Sequence, residues 1–162
     1  MRKKYTVLDL FCGCGGLSKG FEMAGYNIAL GVDFNQPALN TYAFNHKGSQ
    51  TLYADLSKDE TFDAIEEKLK GKTVDVIIGG PPCQSWSEAG ALKGMSDGRG
   101  QLFYEYIRIL DAKKPKFFLA ENVSGMLANR HSKVVENIIK IFDEIGYDVT
   151  VTLVNAKDYG VA

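Results

Sequence analysis

The chain has 162 residues, enough for one domain with its own core, and its 45% hydrophobic and 24% charged content is that of an ordinary globular protein. No apolar run reaches the roughly 20 residues of a membrane span, and the basic Met1-Arg2-Lys3-Lys4 start runs into Tyr5-Thr6-Val7-Leu8-Asp9, too short and acidic for a signal-peptide core, so a cytoplasmic protein is expected. With 19 basic and 20 acidic residues the net charge is -1, which lacks the basic surplus of a nucleic-acid binder; if DNA is the substrate, much of the phosphate-binding surface lies elsewhere.

Thr6 to Phe11 reads as a buried strand. Leu17, Phe21 and Ala24 then recur at helical spacing, with Gly25 placed to end the helix. Ile28 to Asp33 is a second strand, and Pro37 to Phe44 a helix with its proline in the first turn. Thr51 to Ala54 is a short third strand, and Phe62, Ile65 and Leu69 mark a helix closed by Gly71. Val74 to Ile78 is the fourth strand. A loop rich in Gly and Ser follows from Gly79 to Gly100, long for a compact domain and therefore a functional candidate. Leu102 to Leu110 reads as a helix and Phe117 to Ala120 as a strand. Val135, Ile138, Phe142 and Ile145 form a helical stripe ending at Gly146, and Val149 to Val154 alternates like a half-exposed strand. The fold class is therefore α/β, a doubly wound, mostly parallel sheet. Ligands of such sheets bind beyond the carboxyl ends of the strands.

Cys12, Cys14 and Cys83 are odd in number and too closely spaced for a disulfide framework, and Cys12-Gly13-Cys14 has no second ligand pair, so no metal site is expected. His46 and His131 lie in polar surroundings and read as solvated surface residues. The basic clusters at Arg2-Lys3-Lys4 and Lys113-Lys114-Pro115-Lys116 have the plain reading of solvating a strand start.

The turn Asp9-Leu10-Phe11-Cys12-Gly13-Cys14-Gly15-Gly16-Leu17 joins the first strand to the first helix. Its glycines permit a tight turn and a close backbone approach to a ligand. The G-x-G-G pattern departs from the dinucleotide fingerprint G-x-G-x-x-G and suits a nucleoside better than a pyrophosphate. About 20 residues on, Asp33 ends the second strand where an acid commonly binds ribose hydroxyls. Phe34 beside it is placed to stack on an adenine, and Asp55, ending the third strand, to meet an exocyclic amine. Alone, each Asp matches a capping residue. Together, at successive strand ends, these residues point to an adenosine-containing cofactor.

Gly79-Gly80-Pro81-Pro82-Cys83-Gln84-Ser85-Trp86-Ser87 presents a thiol on a stiff turn after a buried strand. A lone Cys is ordinarily a packing residue. The paired prolines and the polar Gln84-Ser85 flank argue instead for a nucleophile. No histidine stands nearby in sequence, which disfavours a protease-type dyad. Glu121 repeats the design after Phe117-Phe118-Leu119-Ala120, with a cap or salt-bridge partner as the plainer reading. A half-buried carboxyl there would have a raised pKa and donate a hydrogen bond. A thiol and a carboxyl on neighbouring strand ends can face one substrate.

At these residues the chain resembles the amino-terminal, catalytic part of the DNA (cytosine-5)-methyltransferases. The matching segments are Asp9 to Gly16, Asp33 with Phe34, Asp55, Gly80 to Ser87, Arg99-Gly100-Gln101-Leu102-Phe103 and Glu121-Asn122-Val123; they follow the family's order and cover nearly the whole chain. The resemblance implies a Rossmann-like methyltransferase fold with S-adenosylmethionine as methyl donor. Phe11, Gly13, Gly15, Gly16 and Leu17 would line its methionine and ribose side, with Leu56, Pro81 and Leu102 further round the pocket. Asp33 would hold the ribose, Phe34 the adenine face and Asp55 the amino group. It implies that Cys83 attacks carbon 6 of a cytosine flipped out of double-stranded DNA, and that Glu121 contacts ring atom N3. Asn122 would position the Pro82-Cys83 turn, and Gln84, Ser87 and Arg99 would meet the substrate.

The resemblance further implies a bacterial restriction–modification role. Residues 1–162 would be a catalytic and cofactor-binding domain incomplete at its C-terminal end, because the family continues past Asn155 to Gly160 into a target-recognition region. That region would belong to a truncated part of the chain or to a second subunit. A tRNA cytosine-5 methyltransferase of the same kind shares these motifs, and a cofactor-binding subunit of a split enzyme is the non-catalytic alternative. An amino-methyltransferase would carry an aromatic residue where Cys83 stands, and a nicotinamide-dependent oxidoreductase fits the glycine spacing poorly.

Overall fold

β1 (Thr6–Leu10), β2 (Asn27–Asp33), β3 (Gln50–Tyr53), β4 (Val76–Gly79) and β5 (Phe117–Ala120) pair in parallel, in the order β3-β2-β1-β4-β5. Between them run α1 (Gly16–Met23), α2 (Gln36–Asn45), α3 (Glu60–Leu69) and α4 (Gly98–Lys113), and α5 (Ser132–Glu144) follows. The computed structural model describes residues 4–82 and 98–161. The chain forms two compact units, Met1–Asn122 and Val123–Ala162. None of the described helices is long and apolar enough to cross a membrane.

The strand order reverses at β1. From β1 the chain steps outward to β2 and β3, then crosses back to β4 and β5. Parallel crossovers are right-handed, so α1 and α2 cover one face and α3 and α4 the other. Contacts agree with this layering. Ser18 of α1 meets Tyr42 of α2, and on the opposite face the Arg108 guanidinium of α4 sits 5.6 Å above the Phe62 ring of α3. The central strands are buried from both sides, as Val7, Leu8, Leu10, Val76, Ile77 and Ile78 show. Leu17, Phe21 and Tyr26 pack onto the cluster of Val7, Cys12, Ile28, Leu39, Tyr42, Val76 and Ile78.

Local signals act where they stand. The Asn35 side chain accepts from Ala38 N at 3.0 Å and caps α2, whose first turn holds Pro37. The basic stretch after α4 is internally neutralised. Lys113 pairs with Glu66, Lys114 with Asp111, and Lys116 with the buried Asp75 at 2.8 Å.

The reading of Val149 to Val154 as a strand is not met. These residues have no regular secondary structure, and Val151, Leu153 and Val154 are exposed. Alternation marks a chain able to be a strand. It becomes one only when a neighbour accepts its backbone hydrogen bonds, and no described strand does so here. In the second unit α5 buries Ile138 and Phe142, two members of the expected stripe.

Candidate functional site

Parallel register brings the strand-end loops to one edge of the sheet. Leu10 aligns with Val32 on one side and Gly79 on the other, Asp33 with Tyr53, and Gly79 with Ala120. The residues singled out from the sequence follow these positions directly.

The turn after β1 is held by its own backbone. Phe11 has φ +57°, a left-handed conformation that a bulky side chain rarely adopts. Cys12 N donates to Val32 O at 3.0 Å, Gly15 N to Cys12 O at 2.9 Å, and Gly13 N to Asp33 Oδ2 at 2.8 Å. The last bond ties the turn to the neighbouring strand end. A Cβ built at Gly13 or Gly16 would meet nothing within 4 Å, so the turn presents open backbone there. Gly15 is the opposite case. It caps α1 at φ +93°, and a Cβ on it would overlap the His46 ring and crowd Tyr42. The turn is therefore open on one side and clamped on the other.

His46 is a correction to the sequence reading. It is 2% exposed rather than solvated. Its Nε2 lies 3.1 Å from Gly15 O, and its Nδ1 3.0 Å from a Glu22 carboxylate oxygen. The signal was available, since Leu39, Tyr42 and His46 follow an i, i+3, i+7 stripe on the buried face of α2. Gly15→Ala combines a left-handed φ with that overlap. We expect a loss of about 3 kcal/mol of stability, read by denaturant unfolding; a change below about 1 kcal/mol would mean that α2 yields freely.

Under the turn lies a buried polar chain. Ser18 Oγ donates to Asp9 Oδ2 at 2.6 Å and stands 2.8 Å from the Tyr42 hydroxyl. Burial pushes the Asp9 carboxyl up to about 7, against the lowering effect of the Ser18 bond and aided by the negative charge of Asp33. Burial, with Asp9 and Asp33 nearby, also pushes the Cys12 thiol well up, so it stays protonated and is no nucleophile. A carboxyl raised in the folded state keeps its proton there while the unfolded chain releases it. Stability from this group is thus present below about pH 4 and lost as pH rises toward 7. The wild type should lose stability over that window relative to Asp9→Asn; parallel profiles of Tm against pH would contradict this.

At the end of β2, Asp33 is 9% exposed and accepts from Gly13 N and Asn35 N, both at 2.8 Å. Each oxygen keeps a further lone pair. Phe34 is 63% exposed, an apolar face at the strand end. Asp55 is exposed, and its Oδ1 accepts from Ser57 N at 2.9 Å and Ser57 Oγ at 2.7 Å. Those bonds, the backbone one first, hold its carboxyl below the usual range, leaving a charged acceptor. Leu56, next to it, is 3% exposed and belongs to the core. Leu17 likewise packs against the core cluster.

Across the switch point, Glu121 N donates to Gly79 O at 2.8 Å, and a Cβ on Gly80 would come 3.2 Å from Glu121 Oε2. Asn122 Nδ2 donates to Pro81 O at 3.0 Å. Pro81 is buried and Pro82 half-buried. The Tyr106 hydroxyl, unremarked in the sequence, donates to Leu119 O at 3.1 Å and braces the end of β5 from α4, where Leu102 is half-buried. Glu121 is exposed rather than half-buried, because β5 lies at the edge of the described sheet. Cys83, Gln84 and Ser87, and the side chain of Arg99, lie outside the described residues.

The chain is 56% identical over 156 residues to the Type II methyltransferase M.NgoPII of Neisseria gonorrhoeae, covering 96% of this chain and 44% of that protein. It is 53% identical to M.FnuDI of Fusobacterium nucleatum, covering 96% and 43%. It thus spans less than half the length of these relatives. Among solved structures, a DNA modification methyltransferase encoded within an E. coli prophage superposes with a TM-score of 0.71 at 34% identity, over 87% of this chain and 38% of that one. The family of C-5 cytosine-specific DNA methylases matches residues 5–162, a span that includes every strand end described above, and the chain belongs to that family.

Proposed function

We propose that the protein transfers a methyl group from S-adenosylmethionine to carbon 5 of a cytosine flipped out of double-stranded DNA, as the modification enzyme of a bacterial restriction system acting in the cytoplasm. The observation that carries this reading is the alignment of β4 with β5. It sets Pro81-Pro82, directly before Cys83, beside Glu121 and Asn122, with Asn122 bonded to Pro81 O. The similarity to Type II methyltransferases supports the restriction–modification context.

The residues fit the cofactor. Gly13 and Gly16 leave open backbone where it can approach, Asp33 keeps lone pairs for hydroxyls, Phe34 offers an exposed ring and Asp55 a charged acceptor for an amine. When bound, S-adenosylmethionine supplies an electrophilic methyl group on sulfur. The rest falls to the chain. Cys83 adds through its sulfur to carbon 6, breaking the ring's 5,6 double bond and making carbon 5 electron-rich. Glu121 stabilises charge at N3 by a hydrogen bond or proton there. Asn122 holds the proline turn that aims Cys83. After methylation, loss of the carbon-5 proton to a base restores the double bond and expels the Cys83 sulfur. Extrusion of the base is required because these ring atoms are inaccessible in the stack. Recognition of the DNA site falls to a further region of the full-length protein or to a second subunit.

Incubating the full-length protein with methyl-labelled cofactor and either duplex DNA or tRNA tests the reading. Label at carbon 5 of cytosine in DNA is expected. Label in tRNA alone, or on an exocyclic nitrogen, would overturn it.

A further inference from the structure

The clamped side of the glycine turn assigns a role to His46 that rests on the cofactor reading above and goes beyond it. Gly15 O already accepts the first helical bond of α1 from Lys19 N at 2.9 Å, and His46 Nε2 approaches the same oxygen at 3.1 Å. The peptide joining Gly15 to Gly16 is planar and trans, so its carbonyl and the Gly16 N–H point in opposite directions. Holding the oxygen from beneath aims that N–H away from the helix, toward the side where the turn is open. The first N–H groups of a helix have no partner within it and suit an acceptor on a ligand.

The ring's surroundings determine its form. Gly15 O can only accept. On the other side of the ring, Nδ1 lies 3.0 Å from a Glu22 carboxylate oxygen that is also 3.7 Å from Lys19 Nζ. Because Gly15 O only accepts, Nε2 is the donor to it, and the Tyr42 ring packs against the imidazole with its centroid 4.4 Å away.

We propose that His46 is a positioning residue for the cofactor turn, its buried imidazole holding the Gly15 carbonyl through Nε2. Its contribution is therefore to cofactor affinity rather than to the chemical step. In the full-length protein, His46→Leu should raise the calorimetric Kd for S-adenosylmethionine about tenfold, with kcat at saturating cofactor nearly unchanged. His46→Gln keeps a donor for the carbonyl and should bind within about threefold of wild type.

A folded His46→Leu with wild-type affinity overturns the proposal. So do equal losses in the Leu and Gln variants, which would show that the shape of the ring and not its donor matters. If the wild type itself binds no S-adenosylmethionine, the cofactor reading fails together with the proposal, an outcome distinct from failure of the variants alone.

Discussion

Cys83→Ala is expected to lower methyl transfer by about 10⁴-fold or more and to abolish the covalent adduct with DNA carrying 5-fluorocytosine. The halogen matters because the last step removes the substituent at carbon 5 as a proton, and fluorine cannot leave that way. The wild type should therefore stall with sulfur still bonded to carbon 6, and the complex should survive denaturing electrophoresis. Alanine lacks the sulfur, so no bond can form. The other two cysteines do not stand in for it. Cys12 is buried with its thiol kept protonated, and Cys14 lies on the glycine turn after β1, not on the turn after β4. An adduct of wild-type abundance in Cys83→Ala would remove Cys83 as the nucleophile.

Glu121→Gln is the second large effect. The backbone of Glu121 is fixed by its bond to Gly79 O, so an isosteric amide should occupy the same place beside Gly80. The amide can still reach the ring but cannot carry charge or exchange a proton at N3. Methyl transfer should slow by roughly 10² to 10³-fold while cofactor affinity stays within about twofold, because Asp33, Phe34 and Asp55 stand at other strand ends. Single-turnover kinetics with calorimetric binding separates the two. A loss of affinity with unchanged turnover would place Glu121 in the cofactor pocket instead.

The strand-end residues were legible because each element announces itself locally. Apolar runs such as Val76-Ile77-Ile78 mark buried strands, and Pro81-Pro82 and the Gly13–Gly16 turn mark where the chain leaves them. The misreadings share one cause. His46 is polar and lies just past the expected end of its helix, yet α2 turns it inward under Gly15. Glu121 follows an apolar strand, yet that strand is an edge and leaves it exposed. Val149 to Val154 has the alternation of a strand but no described partner. In each case the deciding fact is which element faces the residue; periodicity reports it only for His46, through its stripe with Leu39 and Tyr42.

By itself the sequence determined the succession of strands and helices, the parallel sheet that helical crossovers imply, and the chemical identity of each group at the strand ends. These follow from apolar period, turn chemistry and residue type, all local properties. Only the tertiary structure decided that the strand order turns back at β1, that Asp33 closes on Gly13, that Asn122 reaches Pro81 O, and that Asp9, Ser18, Tyr42 and His46 form a polar layer beneath the turn. The Gly13–Asp33 and Asn122–Pro81 bonds join residues 20 and 41 positions apart. They depend on how twisted strands align and on which helix covers which face, and that is settled only when all the elements pack at once.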